Sequence, residues 1–194
     1  MNMQWGWFPC RSDSRVFEAL RLDVPNVSGR MDNLRAAILR PQIALLDDRA
    51  ARWNALYRRL EVGLEQTNGL RLIPRPPAER YVASSFQFTL PGWEPARVAA
   101  LIARCGARGV ELKWFGAPDP VAFTSRYEHW RYAAPNPLPQ TDAVLAGLID
   151  MRLPLTFSLE DAALIARIIR AEVAACRTTP TGARRGNGSS ASRR

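Results

Sequence analysis

One lysine and one histidine carry most of the polar reactivity this chain could offer. Lys113 stands alone against twenty-six arginines, and His129 is the single imidazole. A lysine amine can capture an aldehyde as an imine, which an arginine guanidinium, permanently protonated, does not do. Lys113 lies in the run Glu111-Leu112-Lys113-Trp114-Phe115, which reads as a short strand. There it is either a strand-edge charge facing water or an ammonium that meets an anionic group beside Trp114 and Phe115. Arg126, His129 and Arg131 stand among Phe123, Tyr127, Trp130 and Tyr132. No base or nucleophile is placed beside His129 by spacing, so no catalytic triad is indicated. The three cysteines, Cys10, Cys105 and Cys176, are scattered and odd in number. They suit a reducing compartment, and no Cys/His cluster has zinc-ligand spacing.

Composition narrows the function classes. The 194 residues are 47% hydrophobic and 23% charged, enough for one domain with its own core. Five arginines (Arg177, Arg184, Arg185, Arg193, Arg194) follow Cys176 with no acidic residue among them, which leaves +4 of the formal +9 for residues 1–176. Scattered charge of that size is ordinary solvated surface, and it argues against nucleic acid, which selects a clustered basic stripe. A basic nucleic-acid adaptor working through the tail is the weakest of the alternatives. No apolar run approaches a membrane span and no signal peptide opens the chain, so a cytoplasmic protein is expected.

The elements that must position these residues follow from periodicity. Trp5, Trp7 and Phe8 crowd the start without a strand or helix pattern, as at an edge once covered by an upstream domain or a partner. Residues 1–29 read as linker, with Val24-Pro25-Asn26 opposing helix. A long helix is expected from near Arg30. Leu34, Ile38, Leu45, Leu46, Trp53, Leu56, Tyr57, Leu60 and Leu64 form its apolar stripe, and Pro41 should kink it. Val82 to Leu90 alternates as a half-buried strand, Pro95 to Arg104 reads as a helix, and Val110 to Phe115 as a second strand. Residues 116–140 hold five prolines and read as a covering loop. A short helix from about Asp142 and an apolar stretch, Met151 to Leu155, follow. Ser158 and Asp161 approximate a capping box for a final helix striped by Leu164, Ile165, Ile168, Ile169 and Val173. The sum is a two-layer α+β domain over residues 30–176, with a disordered basic tail at 177–194.

The run Ser28-Gly29-Arg30-Met31-Asp32-Asn33-Leu34-Arg35-Ala36-Ala37, then Ile38, Gln42, Ile43 and Leu46-Asp47, resembles the Asn-x-Arg-Met-(Ser/Thr)-acidic-Leu-Gln-Ala-Ala segment of the DegT/StrS family. Gly69-Leu70-Arg71-Leu72, Arg108-Gly109-Val110 and Leu153-Pro154-Leu155 agree with that family in order, so the likeness spans about residues 20–175. The resemblance implies fold type I, pyridoxal-phosphate-dependent aminotransferases, many acting on nucleotide-linked keto-sugars. It places the cofactor's lysine and aspartate in a large domain ahead of the Arg-Met segment, where fewer than thirty residues stand here and none is lysine. It implies a homodimer in which the segment before Arg30 reaches the partner's cofactor phosphate. Ser28 holds the family's asparagine position and Asn26 stands two residues earlier, so Asn26, Ser28 and Arg30 are the phosphate candidates. It also brings the histidine-containing loop toward substrate, so Arg126 and His129 join Lys113, already a candidate as a lone ammonium beside Trp114 and Phe115, as substrate candidates, although the family's Pro-Leu-His signature is absent. The expected role is a carboxy-terminal small domain, silent alone and completed by a missing large domain. The competing class is a non-enzymatic interaction module.

Overall fold

The computed structural model of the chain describes residue 23 and residues 31–119, 126–134 and 136–178. Asn26, Ser28, Arg30, the aromatic start, Cys10, Phe123 and the tail from residue 179 lie outside the described residues.

Asp32 opens the first helix, α1 (Asn33–Ile43), its carboxylate accepting from the Arg35 N–H at 2.7 Å. Pro41 sits inside α1, and the helix gives way at Ala44–Leu45 before α2 (Leu46–Leu64) begins. Pro41 lacks the donor that would bind the preceding turn, so the helix fails within a few residues of it. Asp47 and Asp48 in the first turn of α2 complement its positive end. Leu56, Tyr57, Leu60 and Leu64 are buried from α2 at one helical face. The remaining elements are β1 (Arg71–Leu72), β2 (Ser85–Thr89), α3 (Pro95–Ala107), β3 (Lys113–Trp114), a 3₁₀ turn (Tyr127–His129), α4 (Pro139–Leu145), β4 (Leu148–Arg152) and α5 (Leu159–Thr178).

The four strands form one antiparallel sheet in the order β1-β2-β4-β3. Registers Phe86↔Met151 and Phe88↔Ile149 put four apolar side chains on one face, where they join α2, α3 and α5 in the core. Asn54 of α2 ties the approach to β2, donating to the Tyr81 carbonyl and accepting from the Ala83 N–H. Gly63 lets α2 and α5 touch backbone to side chain: a Cβ there would stand 2.5 Å from the Ala166 Cβ.

Four expectations need correction. Leu34, Ile38, Leu45 and Leu46 belong to no buried stripe; α1 buries no residue, and burial in α2 starts only at Leu56. Leu164 is exposed and Ala162 and Ala166 take the inward positions of α5, since the tight α2 contact admits only small side chains. Val82 faces solvent and Ala83 is buried, because the chain turns at Val82–Ser84 and enters the strand only at Ser85. The stretch expected from Met151 is in fact a strand beginning at Leu148, and it lies between β2 and β3, which therefore do not pair.

Candidate functional site

Lys113 is half-buried, and its neighbours Leu112 and Trp114 are buried, so the run keeps the alternation of a strand with Lys113 on the face away from the helices. Trp114 fixes the edge by donating its indole N–H to the Ala146 carbonyl at 2.9 Å. Across the ladder from Lys113 stands Asp150, and beyond it Gln87, whose amide donates to Asp150 Oδ1 at 3.2 Å. Asp150 is only 8% exposed. A polar row, Gln87–Asp150–Lys113, thus crosses the sheet opposite the apolar core.

β3 pairs with β4 at Trp114↔Ile149 and Lys113↔Asp150 and goes no further. Where residues 109–111 leave the ladder, a groove of about 380 Å³ opens, with Met151, Phe157 and Ile165 as its apolar wall and Glu111, Lys113 and Arg152 among its polar lining.

The loop after β3 brings the second group of candidates together. Arg126 meets both carboxylate oxygens of Glu128, one through Nε at 3.1 Å, and lies 3.8 Å from Asp142. Its contact with Glu128 holds that carboxyl below the ordinary carboxylate range. His129 Nδ1 accepts from the Arg126 backbone N–H at 3.2 Å, which leaves Nε2 to carry the hydrogen and donate to the Pro118 carbonyl at 2.9 Å. Both ring nitrogens are therefore engaged by backbone. Tyr127 adds a staple, donating to Asp142 at 3.0 Å and accepting from the Leu138 N–H at 3.1 Å. Arg131 forks onto Asp23, tying residue 23 to this loop.

A third charged cluster was not legible in the sequence. Glu172, buried on α5, accepts from Arg104 Nε at 2.6 Å and from Arg108 at 2.9 Å, joining α3 to α5. Arg108 foremost, with Arg104, holds the Glu172 carboxyl below its usual range against the opposing effect of desolvation. Burial pushes the neighbouring Cys105 thiol up to about 12, so it is inert as a nucleophile. No metal-ligating group of three or more His, Cys, Asp or Glu occurs among the described residues, and no helix there is long and apolar enough to cross a membrane.

The sequence model of the DegT/DnrJ/EryC1/StrS aminotransferase family matches residues 10–170. The chain belongs to this family. Its fold is similar to that of the aminotransferase TlmJ from Streptoalloteichus hindustanus, at TM-score 0.62 and 20% identity, over 73% of this chain and 36% of that one. It is also similar to 3-amino-5-hydroxybenzoic acid synthase, at TM-score 0.57 and 20% identity over 87% and 49%. DesV from S. venezuelae, solved with a ketimine intermediate, gives TM-score 0.58 and 20% identity over 83% and 45%. The chain thus spans about a third to a half of these structures. No curated protein gives a significant match.

The family implies pyridoxal phosphate, and the donor set tests whether the described residues suit it. The one primary amine, Lys113, lies beside Glu111 and opposite Asp150, and Arg152 is the other cation of that groove. A dianionic phosphate needs converging donors, whereas here carboxylates interleave with the cations. The groove beside Lys113 does not fit the cofactor, and no step is derived through it.

Proposed function

We propose that this chain is the carboxy-terminal small domain of a DegT/StrS-type aminotransferase, which moves an amino group to a keto-sugar or similar carbonyl compound once a lysine-bearing large domain is present. The observation that carries the reading is the family match over residues 10–170 in a chain whose only lysine sits on a two-residue edge strand. The bare apolar surface of α1 supports a joint with such a domain: Leu34, Ile38, Leu39 and Ile43 are all exposed. In the assembled enzyme, pyridoxal phosphate would supply the amino-transfer chemistry. Asn26, Ser28 and Arg30 would contact its phosphate across a homodimer, and Lys113, Arg126 and His129 would line the substrate side. For His129 this role requires release of one of its two backbone contacts.

Borohydride reduction of the cofactor-treated chain, followed by peptide mapping, tests this. The expected result is no stoichiometric label on the chain alone, with labelling and turnover appearing when a lysine-bearing large domain from a family member is added. Turnover by the chain alone with label at Lys113 overturns it. The exposed α1 equally favours a second reading, a non-enzymatic interaction module. That reading gains if α1 captures a partner and no large domain restores turnover.

A further inference from the structure

At several loop and helix contacts charged groups are matched: Arg75 with Glu79, Arg104 and Arg108 with Glu172, Arg126 with Glu128, Arg131 with Asp23. The groove beside β3 gathers charges of both signs without such matching among the described residues. Glu111, Lys113 and Arg152 line it together, yet none of the three has an ion pair or side-chain hydrogen bond among the described residues. Glu111 and Lys113 stand two apart on an extended run and so share a face, with Arg152 across the opening. Asp150, the carboxylate facing Lys113 across the ladder, is occupied by Gln87. Behind these charges lie Met151, which is buried, and Phe157 and Ile165, which are half-buried.

The backbone adds a further polar edge. Because Phe115 N–H bonds the Leu148 carbonyl, alternate residues of β4 (Leu148, Asp150, Arg152) turn their peptide groups toward β3. The ladder stops at Lys113↔Asp150, so the peptide groups of Arg152 face the groove without a strand partner among the described residues. Two cations and a backbone edge suit one carboxylate, a single carboxylate suits one ammonium, and an apolar wall suits a hydrocarbon side chain. Its volume of about 380 Å³ falls in the range, ~300–1,000 Å³, of small-molecule sites.

We propose that this groove binds an apolar α-amino acid as its zwitterion, with the carboxylate held by Lys113 and Arg152, the ammonium by Glu111, and the side chain against Met151, Phe157 and Ile165. Glutamate is excluded because its second carboxylate would face Glu111 and the apolar wall. The inference is independent of the amino-transfer reading: binding is a property of the 194-residue chain without cofactor, and either can fail alone.

Titration of the full chain with phenylalanine, followed by amide NMR shifts and calorimetry, tests it. The expected result is saturable one-to-one binding, with shifts at residues 109–113 and 151–157 and none with glutamate. Glu111→Gln should weaken phenylalanine roughly tenfold, the scale of one charge-assisted hydrogen bond, and leave N-acetylphenylalanine unchanged. Lys113→Met and Arg152→Met should each weaken both ligands but leave phenylalanine amide unchanged. These side chains have no ion pair or side-chain hydrogen bond to lose among the described residues, and unchanged circular dichroism checks that the fold survives. Absence of saturable phenylalanine binding overturns the proposal. So does binding that the three substitutions leave unmoved, or glutamate binding as tightly as phenylalanine.

Discussion

Helices α1 and α5 both carry aliphatic side chains at helical spacing, yet their fates are opposite. α5 buries Ala162, Ala166, Ile168, Ile169, Val173 and Cys176 together with Glu172, whereas α1 buries nothing and leaves Leu34 70% and Ile43 71% exposed. The difference lies in what each helix meets. α5 lies between α2 and α3 over the sheet, and its alanines admit the close approach at Gly63. α1 buries no residue against any other described element. An apolar stripe therefore states that a helix needs a partner and leaves open where that partner is.

The sharpest way to break this contrast is to remove the same atoms from each helix. Ile169→Ala should cost about 2–5 kcal/mol through lost burial and a residual cavity. Ile38→Ala should stay within about 0.5 kcal/mol in the isolated chain. Urea unfolding midpoints check both, and a comparable loss at Ile38 would show that α1 is covered after all.

Next in size is Glu172→Gln. It weakens two charge-assisted contacts whose arginines are about half exposed, so a loss of about 1–2 kcal/mol is expected at neutral pH. Because the folded carboxyl titrates below its unfolded value, its contribution is fully present above the ordinary carboxylate range and is lost as pH falls through the depressed native value. The variant should therefore lose less stability on acidification than the parent, and a matching acid limb in both would remove Glu172 from the account.

The smallest expected effect sharpens the α5 side of the contrast. Ser158 N–H donates to Asp161 at 2.9 Å and Asp161 N–H to Ser158 Oγ at 3.1 Å, and the first of these contacts holds the Asp161 carboxyl below its usual range. Ser158→Ala should cost about 1 kcal/mol, read from thermal unfolding. It should raise hydrogen exchange first at the start of α5.

The capped start of α5 was legible because both partners of the box are local, three residues apart. The α+β class was legible for a related reason, since helix and strand periods are properties of short windows. β4 was not legible: Leu-Ile-Asp-Met-Arg places Asp150 among apolar neighbours. Its sense as a strand comes from Gln87 on one side and Lys113 on the other, sixty-three and thirty-seven residues away in sequence. Of the candidate site, the single lysine and histidine could be named from the sequence. Glu111, Arg152 and Asp150 could not, because ordinary charged residues acquire a role only through what lies across from them. The Glu172 bridge to Arg104 and Arg108 escaped for the same reason.

By itself the amino-acid order determined the principal helices, the cap of α5 and the break near Pro41, the family resemblance, and the scarcity of amines, all of which depend on near neighbours or on residue identity. Tertiary structure alone decided that β4 separates β2 from β3, that α1 buries no residue among the described elements, and that Glu111, Lys113 and Arg152 converge on one groove. Those outcomes depend on which distant segments are brought within a few ångströms, and short-range periodicity contains no term for that distance.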